Sequence, residues 1–211
     1  MLATPLVTKR RLLSAIAAVS FVLALPAAHA ADNSAPDLLI RQLSLEILDA
    51  VKNDKAIQAG DVKKINALVE GKIMPHVDFP RITATAVGRF WRQATPDQQQ
   101  KLIDEFKTLL VRTYSGALTQ IKDQNIAMKP LRAAAEDTEV VVRTEIRGRS
   151  DPIQLDYRLE KSGAIWKIYD VNVLGIWLAD QYKNSFAQEI GANGIDGLIK
   201  ALAAKNASAA K

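Results

Sequence analysis

The sequence predicts an α+β fold, with helices packed on one face of a curved, mainly antiparallel sheet. Two observations carry this. Apolar residues recur at helical spacing to about residue 121, alternate every second residue from about 138 to 173, and then return to helical spacing. The alternating segments have one apolar and one polar face, as suits a sheet covered on one side.

The helices read in order. Ser34 or Asp37 can cap a first helix, with Pro36 in its first turn and Leu39, Leu43, Ile47, Leu48 and Val51 as its stripe. Gly60 and Asp61 begin a second, with Val62, Ile65, Leu68 and Val69 inward and Pro75 as its stop. Asp78 caps a third, in which Phe79, Ile82, Ala86 and Phe90 recur. Thr95-Pro96-Asp97-Gln98 is a capping-box start. The long helix after it carries Leu102, Phe106, Leu109, Leu110, Thr113, Ala117 and Ile121 on one face.

Strands follow. Thr138 to Arg147 alternates Val140, Val142, Thr144 and Ile146 with polar residues. Ile153, Leu155, Tyr157 and Leu159 do the same, with Asp156 on the polar side. Ser162-Gly163 turns into a strand from Ile165 to Val173, and Ile126 to Leu131 adds an edge. Helices over Ile176–Ile190 and Ile195–Ala203 close the chain. Trp166 is expected against these last helices.

Residues 1–30 read as a secretory signal. Lys9, Arg10 and Arg11 precede an apolar stretch from Leu12 to Leu25, and Ala28-His29-Ala30 offers a cleavage site after Ala30. Roughly 14 apolar residues fall short of the about 20 that span a bilayer. Cleavage would leave one domain over 31–204 and a disordered tail over 205–211, with 25 basic against 23 acidic residues. That near-balance gives no case for nucleic acid. The chain has no Cys, so no disulfide holds it and no thiol carries a lipid anchor. A soluble periplasmic monomer is the expectation.

Much chemistry is excluded. Without Cys, and with His76 as the one His after the leader, thiol catalysis and a common zinc site are unsupported. There is no G-x-S-x-G elbow, no Walker loop and no dinucleotide fingerprint. One enzyme reading survives. An isomerase-like or lyase-like site on a small apolar substrate could use Asp170 as base with the Tyr157 or Tyr114 hydroxyl.

Two blocks carry a resemblance. The first is Val87-Gly88-Arg89-Phe90-Trp91-Arg92-Gln93-Ala94-Thr95 with the capped helix after it. The second is Trp166-Lys167-Ile168-Tyr169-Asp170-Val171, then Gly175, Tyr182, Phe186 and Gly194-Ile195-Asp196-Gly197. In this order and distance they resemble the MlaC or toluene-tolerance family, from about Pro36 to Leu202. The sequence departs from that pattern at Trp177, where a small polar residue is commoner, and at Lys183, where Arg is commoner.

The resemblance implies a periplasmic carrier with no cofactor and no catalysis. It would bind phospholipid and shuttle it between an outer-membrane lipoprotein–porin complex and an inner-membrane ABC transporter, maintaining outer-membrane asymmetry. Such a carrier needs an apolar cavity. The candidate walls are Phe79, Ile82, Phe90, Phe106, Leu109, Leu110, Val140, Val142, Ile146, Leu155, Tyr157, Ile168 and Val171. Each also reads as ordinary core. Trp91 and Trp177 are candidates for the cavity mouth, and Arg89, Arg92, Arg143 and Arg147 for a phosphate or an acidic partner.

Overall fold

A computed structural model describes residues 35–149 and 151–208. The leader over 1–30 and Ser34 lie outside the described residues.

Helix α1, Pro36–Asn53, begins on Pro36. Ala35 takes the N-cap place and no side chain caps the helix. Asp37 lies in the first turn, where its charge suits the helix dipole. A short turn that the periodicity does not reveal, α2, Lys55–Gln58, follows because Asp54 accepts the N–H groups of Ala56 and Ile57. Asp61 caps α3, Val62–Leu68, in the same way. Val62 is exposed rather than inward. The chain then widens into a π turn, Val69–Ile73, and tightens into a 3-10 turn, Met74–His76, that holds Pro75. Asp78 caps α4, Phe79–Val87, through the Arg81 N–H. Phe90 falls beyond it in a 3-10 segment, Gly88–Gln93.

Helix α5, Pro96–Thr119, has both halves of its capping box. Thr95 Oγ1 accepts from the Gln98 N–H, and Gln98 Oε1 accepts from the Thr95 N–H. Five antiparallel strands follow in sequential order: β1 Asn125–Met128, β2 Glu139–Arg147, β3 Ile153–Ser162, β4 Ile165–Val173 and β5 Ile176–Trp177. Val140 lies opposite Leu159, Val142 opposite Tyr157 and Thr144 opposite Leu155, so these share a face. Arg158 opposes Asp170 and Leu159 opposes Ile168, which leaves Tyr169 unpaired in a bulge that bends the sheet.

Three expectations need correction. β1 stops at Met128, short of Leu131. Ile176 opens a strand, not a helix, because Leu174 and Gly175 both take positive φ (53° and 91°) and turn the chain back onto Asn172 and Val173. The tail does not begin at Lys205. Helix α6, Leu178–Ser208, takes in the first four residues of the expected tail, the buried Asn206 side chain donates to the Glu105 carbonyl at 2.9 Å, and residues 209–211 lie outside the described residues. The expected break within α6 does occur, at Gly194, whose φ of 72° and ψ of −179° suit glycine alone.

The start of α4 is joined to the sheet at β4. Val77 bridges to Ile168, and the Asp78 N–H donates to the Ile168 carbonyl at 2.8 Å. The Arg81 guanidinium reaches Glu139 at 2.6 Å and also Glu160, and lies over the Tyr169 ring at 3.7 Å. The Arg81 hydrogen bond holds the Glu139 carboxyl below its ordinary value of 4.5. Its contribution is complete above that value and is lost as pH falls through the depressed one. Arg81→Met should therefore lower the melting temperature by about 2–4 °C at pH 7. A calorimetric pH series should show the gap narrowing below pH 4 without closing, since the Tyr169 stacking survives protonation.

Candidate functional site

The apolar interior is divided. Phe106, at the centre of α5, packs edge-on to Tyr182 and Phe186 with centroids at 4.9 and 5.1 Å, and lies 6.0 Å from Phe79. Ile82, Leu109 and Leu110 are buried in the same α4–α5–α6 core, and Phe90 packs at its margin. Val140, Val142 and Ile168 belong to a second core, where the sheet packs on Leu39, Ile40 and Leu43 of α1. Tyr157 and Val171 sit half-buried at its margin, while Ile146 and Leu155 are half-buried and belong to neither core. The candidate walls thus fall mainly in two cores that meet at Val77, which packs against both, with Ile146 and Leu155 outside them.

The margins of the two cores carry hydroxyls. The buried stripe of α5 ends at Leu110. Thr113 and Ala117, expected to continue it, are exposed, and Tyr114 is half-buried. Tyr114 lies within reach of Gln181 at 3.5 Å. Burial raises the Tyr114 and Tyr182 hydroxyls above their ordinary value. Tyr157 is pushed up to about 12 by burial, against hydrogen bonding from Ser44 and Thr144. These phenols stay neutral in ordinary solution, so the margin presents uncharged hydroxyls beside hydrocarbon.

The sheet face away from α1 is polar, with a buried ion pair. Asp170, 1% exposed, accepts from the Val171 and Ala179 N–H groups and meets Arg158 at 3.1 Å. Burial raises its carboxyl, and these partners oppose the rise. The bulge turns Tyr169 and Asp170 to this same side. Asp170 is therefore bound to its own backbone and to Arg158, while Tyr157 points to the α1 side. The Asp170–Tyr157 pair is thus split between the two faces of the sheet.

Other candidates also find places. Trp166 is buried in the α1–sheet core, not against the last helices. Trp177 lies under the Arg158 guanidinium at 3.8 Å, away from both apolar cores, and Trp91 packs against the helical core. Arg89 covers the Phe90 ring, and Arg147 pairs with Glu145. His76 ends the 3-10 turn, its pKa lowered by burial. Among the described residues no cluster of three His, Cys, Asp or Glu is placed to hold a metal, and no helix is long and apolar enough to cross a membrane. The sequence reading missed Met74 and Val77, whose position between a proline turn and a cap hides their role in joining the cores.

Fold and interior together define a class: small α+β proteins with helices over an antiparallel sheet and a divided apolar core. The chain belongs to the MlaC family, whose model, described as "MlaC protein", matches residues 41–204. It is 27% identical over 163 residues to the toluene tolerance protein ttg2D of Pseudomonas putida, covering 76% of this chain and 75% of that one. It is 21% identical over 170 residues to the intermembrane phospholipid transport system binding protein MlaC of Haemophilus influenzae, covering 79% of each. Among solved structures it is similar to the phospholipid-binding protein of Ralstonia solanacearum in complex with a phospholipid. That match has a TM-score of 0.81 and 46% identity, over 83% of this chain and 98% of that one.

Removing the central ring tests the helical core. Phe106→Ala should cost about 3–5 kcal/mol. Urea unfolding should show a lower midpoint with an unchanged slope.

Proposed function

We propose that this protein is a periplasmic phospholipid carrier that holds acyl tails between its helical and sheet cores. The observation that carries the reading is the structural neighbour at 46% identity, which is described as bound to a phospholipid. The physical need is plain. Each buried methylene contributes about 0.8 kcal/mol, so a 16-carbon tail is strongly excluded from water. A carrier replaces the bilayer interior with its own apolar walls and leaves the head group wet. Tails entering at the half-buried margin would part the two cores beside Val77 and meet Phe106, Leu109, Val142 and Tyr157.

The shuttle reading extends to location and partners. The leader would be cut after Ala30, leaving the chain in the periplasm. There it would pass lipid between an outer-membrane lipoprotein–porin complex and an inner-membrane ABC transporter, helping to keep the outer membrane asymmetric. Catalysis has no part in this reading.

Organic extraction of the purified chain followed by mass spectrometry should yield about one diacyl phospholipid per protein. An empty protein, or one carrying another apolar molecule, would sink the proposal. Leu109→Trp and Val171→Trp, on either side of the junction, should each lower lipid occupancy several-fold while the protein stays folded by circular dichroism. Unchanged occupancy in both would remove the assigned walls.

A further inference from the structure

On the sheet face opposite α1 lies an open recess of about 960 Å³, whose lining includes Lys129, Arg132, Arg143, Gln154, Asp156 and Tyr169. Half of its charged groups are already engaged. Lys129 pairs with Glu145, and the Tyr169 hydroxyl donates to Glu139. Three groups are left over. Asp156 is 5% exposed, and its Oδ2 accepts from the Gln154 amide at 2.8 Å, but its Oδ1 is buried with no hydrogen-bond partner. Arg143 stands directly across the β2–β3 ladder from Asp156, and Arg132 lies on the loop beside it. Neither arginine makes an ion pair among the described residues.

Asp170 shows how unusual Asp156 is. Both are buried carboxyl groups on the same side of the sheet. Asp170 has two backbone N–H donors and a guanidinium, whereas one oxygen of Asp156 has nothing. A buried acceptor without a donor is costly and marks a place where a partner is due. That partner must bring a donor, and a cationic N–H best matches a carboxylate. The two spare guanidinium groups beside it call for the opposite, an acidic group that can accept a forked pair of hydrogen bonds.

We propose that this recess binds a small zwitterion, with the ligand's ammonium on the Asp156 carboxylate and its acidic group on Arg143 and Arg132. The shared chemistry is an amine a few bonds from a phosphate or a carboxylate. A phospholipid-type head group and a free amino acid both supply it. The site is separated by the sheet from the apolar cores, so it stands independently of the carrier reading.

Calorimetric titration of the folded protein tests this with O-phosphoethanolamine, glycerophosphoethanolamine and β-alanine. Ethanolamine and inorganic phosphate serve as the two half-ligands. At least one zwitterion should bind tenfold or more tightly than either half. Preference for the phosphate zwitterions points to a head-group source, and preference for β-alanine to an amino acid. Asp156→Asn should weaken the zwitterion at least tenfold while leaving phosphate unchanged; Arg143→Gln should weaken both. If Asp156→Asn does not fold, Arg132→Gln reports on the acidic end alone and should also weaken both. Zwitterions binding no better than their halves, or an Asp156→Asn variant with wild-type affinity, would overturn the proposal. So would an Arg143–Asp156 pair seen by NMR in a protein that binds none of the probes. The probes have no tails, so failure here leaves the lipid measurement untouched.

Discussion

The Val77–Asp78 junction on Ile168 is the contact on which the rest depends. There the chain leaves a proline-bearing 3-10 turn, pairs with a β-strand for one residue, and caps α4 with the next. The backbone hydrogen bond from Asp78 to Ile168 thus seats the start of α4 on the sheet. The same strand carries the bulge that follows Ile168, so the bend of the sheet and the seat of α4 share a few residues. Arg81, one turn into α4, extends the hold to β2 and β3 through Glu139 and Glu160. Much of this attachment is polar and peripheral, while the apolar groups on each side belong to separate cores.

That arrangement suits an interior able to part. Each core has its own close-packed centre. Phe106 and its three rings hold α4, α5 and α6 together, and Leu159, Val142 and Ile40 hold α1 to the sheet. A third core, around Val51, Ile65 and Ile121, ties α1, α2 and α3 to the end of α5. Met74 and Ile47 lie on its borders with the other two. Packing defects are costly within a core, where every methylene has partners. Between two cores the loss is confined to the residues at the border, and an inserted hydrocarbon chain replaces what it displaces.

Most of the elements were legible because each has a local cause. The Thr95 capping box, the Asp78 and Asp61 caps and the alternation from Val140 to Leu159 are short-range patterns, and all appear where expected. The departures have non-local causes. Ile176 looks helical by spacing, yet the turn at Leu174 and Gly175 folds it back onto β4. Lys205 to Ser208 have the composition of a frayed end, yet Glu105 and Arg112 of α5 hold Asn206. The candidate site was legible as a set of apolar residues and not as an arrangement. Helical and strand periods tell which side of an element is buried, but not which other element covers it. Phe106 and Val142 are both inward, and nothing in their spacing assigns them to different cores.

The two faces of the sheet then divide the work by chemistry. Toward α1, Val142, Leu159 and Ile168 lie in an apolar core, and the hydroxyls of Tyr157 and Thr144 are polar groups on that side, the former kept neutral by its burial. On the other side the same strands carry Arg143, Asp156, Arg158 and Asp170, some of them deeply buried. A buried charge is tolerable only where its partners are fixed, and Asp170 meets that condition through Arg158 and two backbone donors. The Trp177 ring stacks on the Arg158 guanidinium and adds a further hold on its position. The bulge makes this possible, since it turns Tyr169 and Asp170 to one side and lets Val171 return to the apolar face. An uninterrupted alternation would have put either Ile168 or Val171 on the charged side. The irregularity in β4 is therefore what allows one strand to serve an apolar interior along its length and still anchor the start of α6.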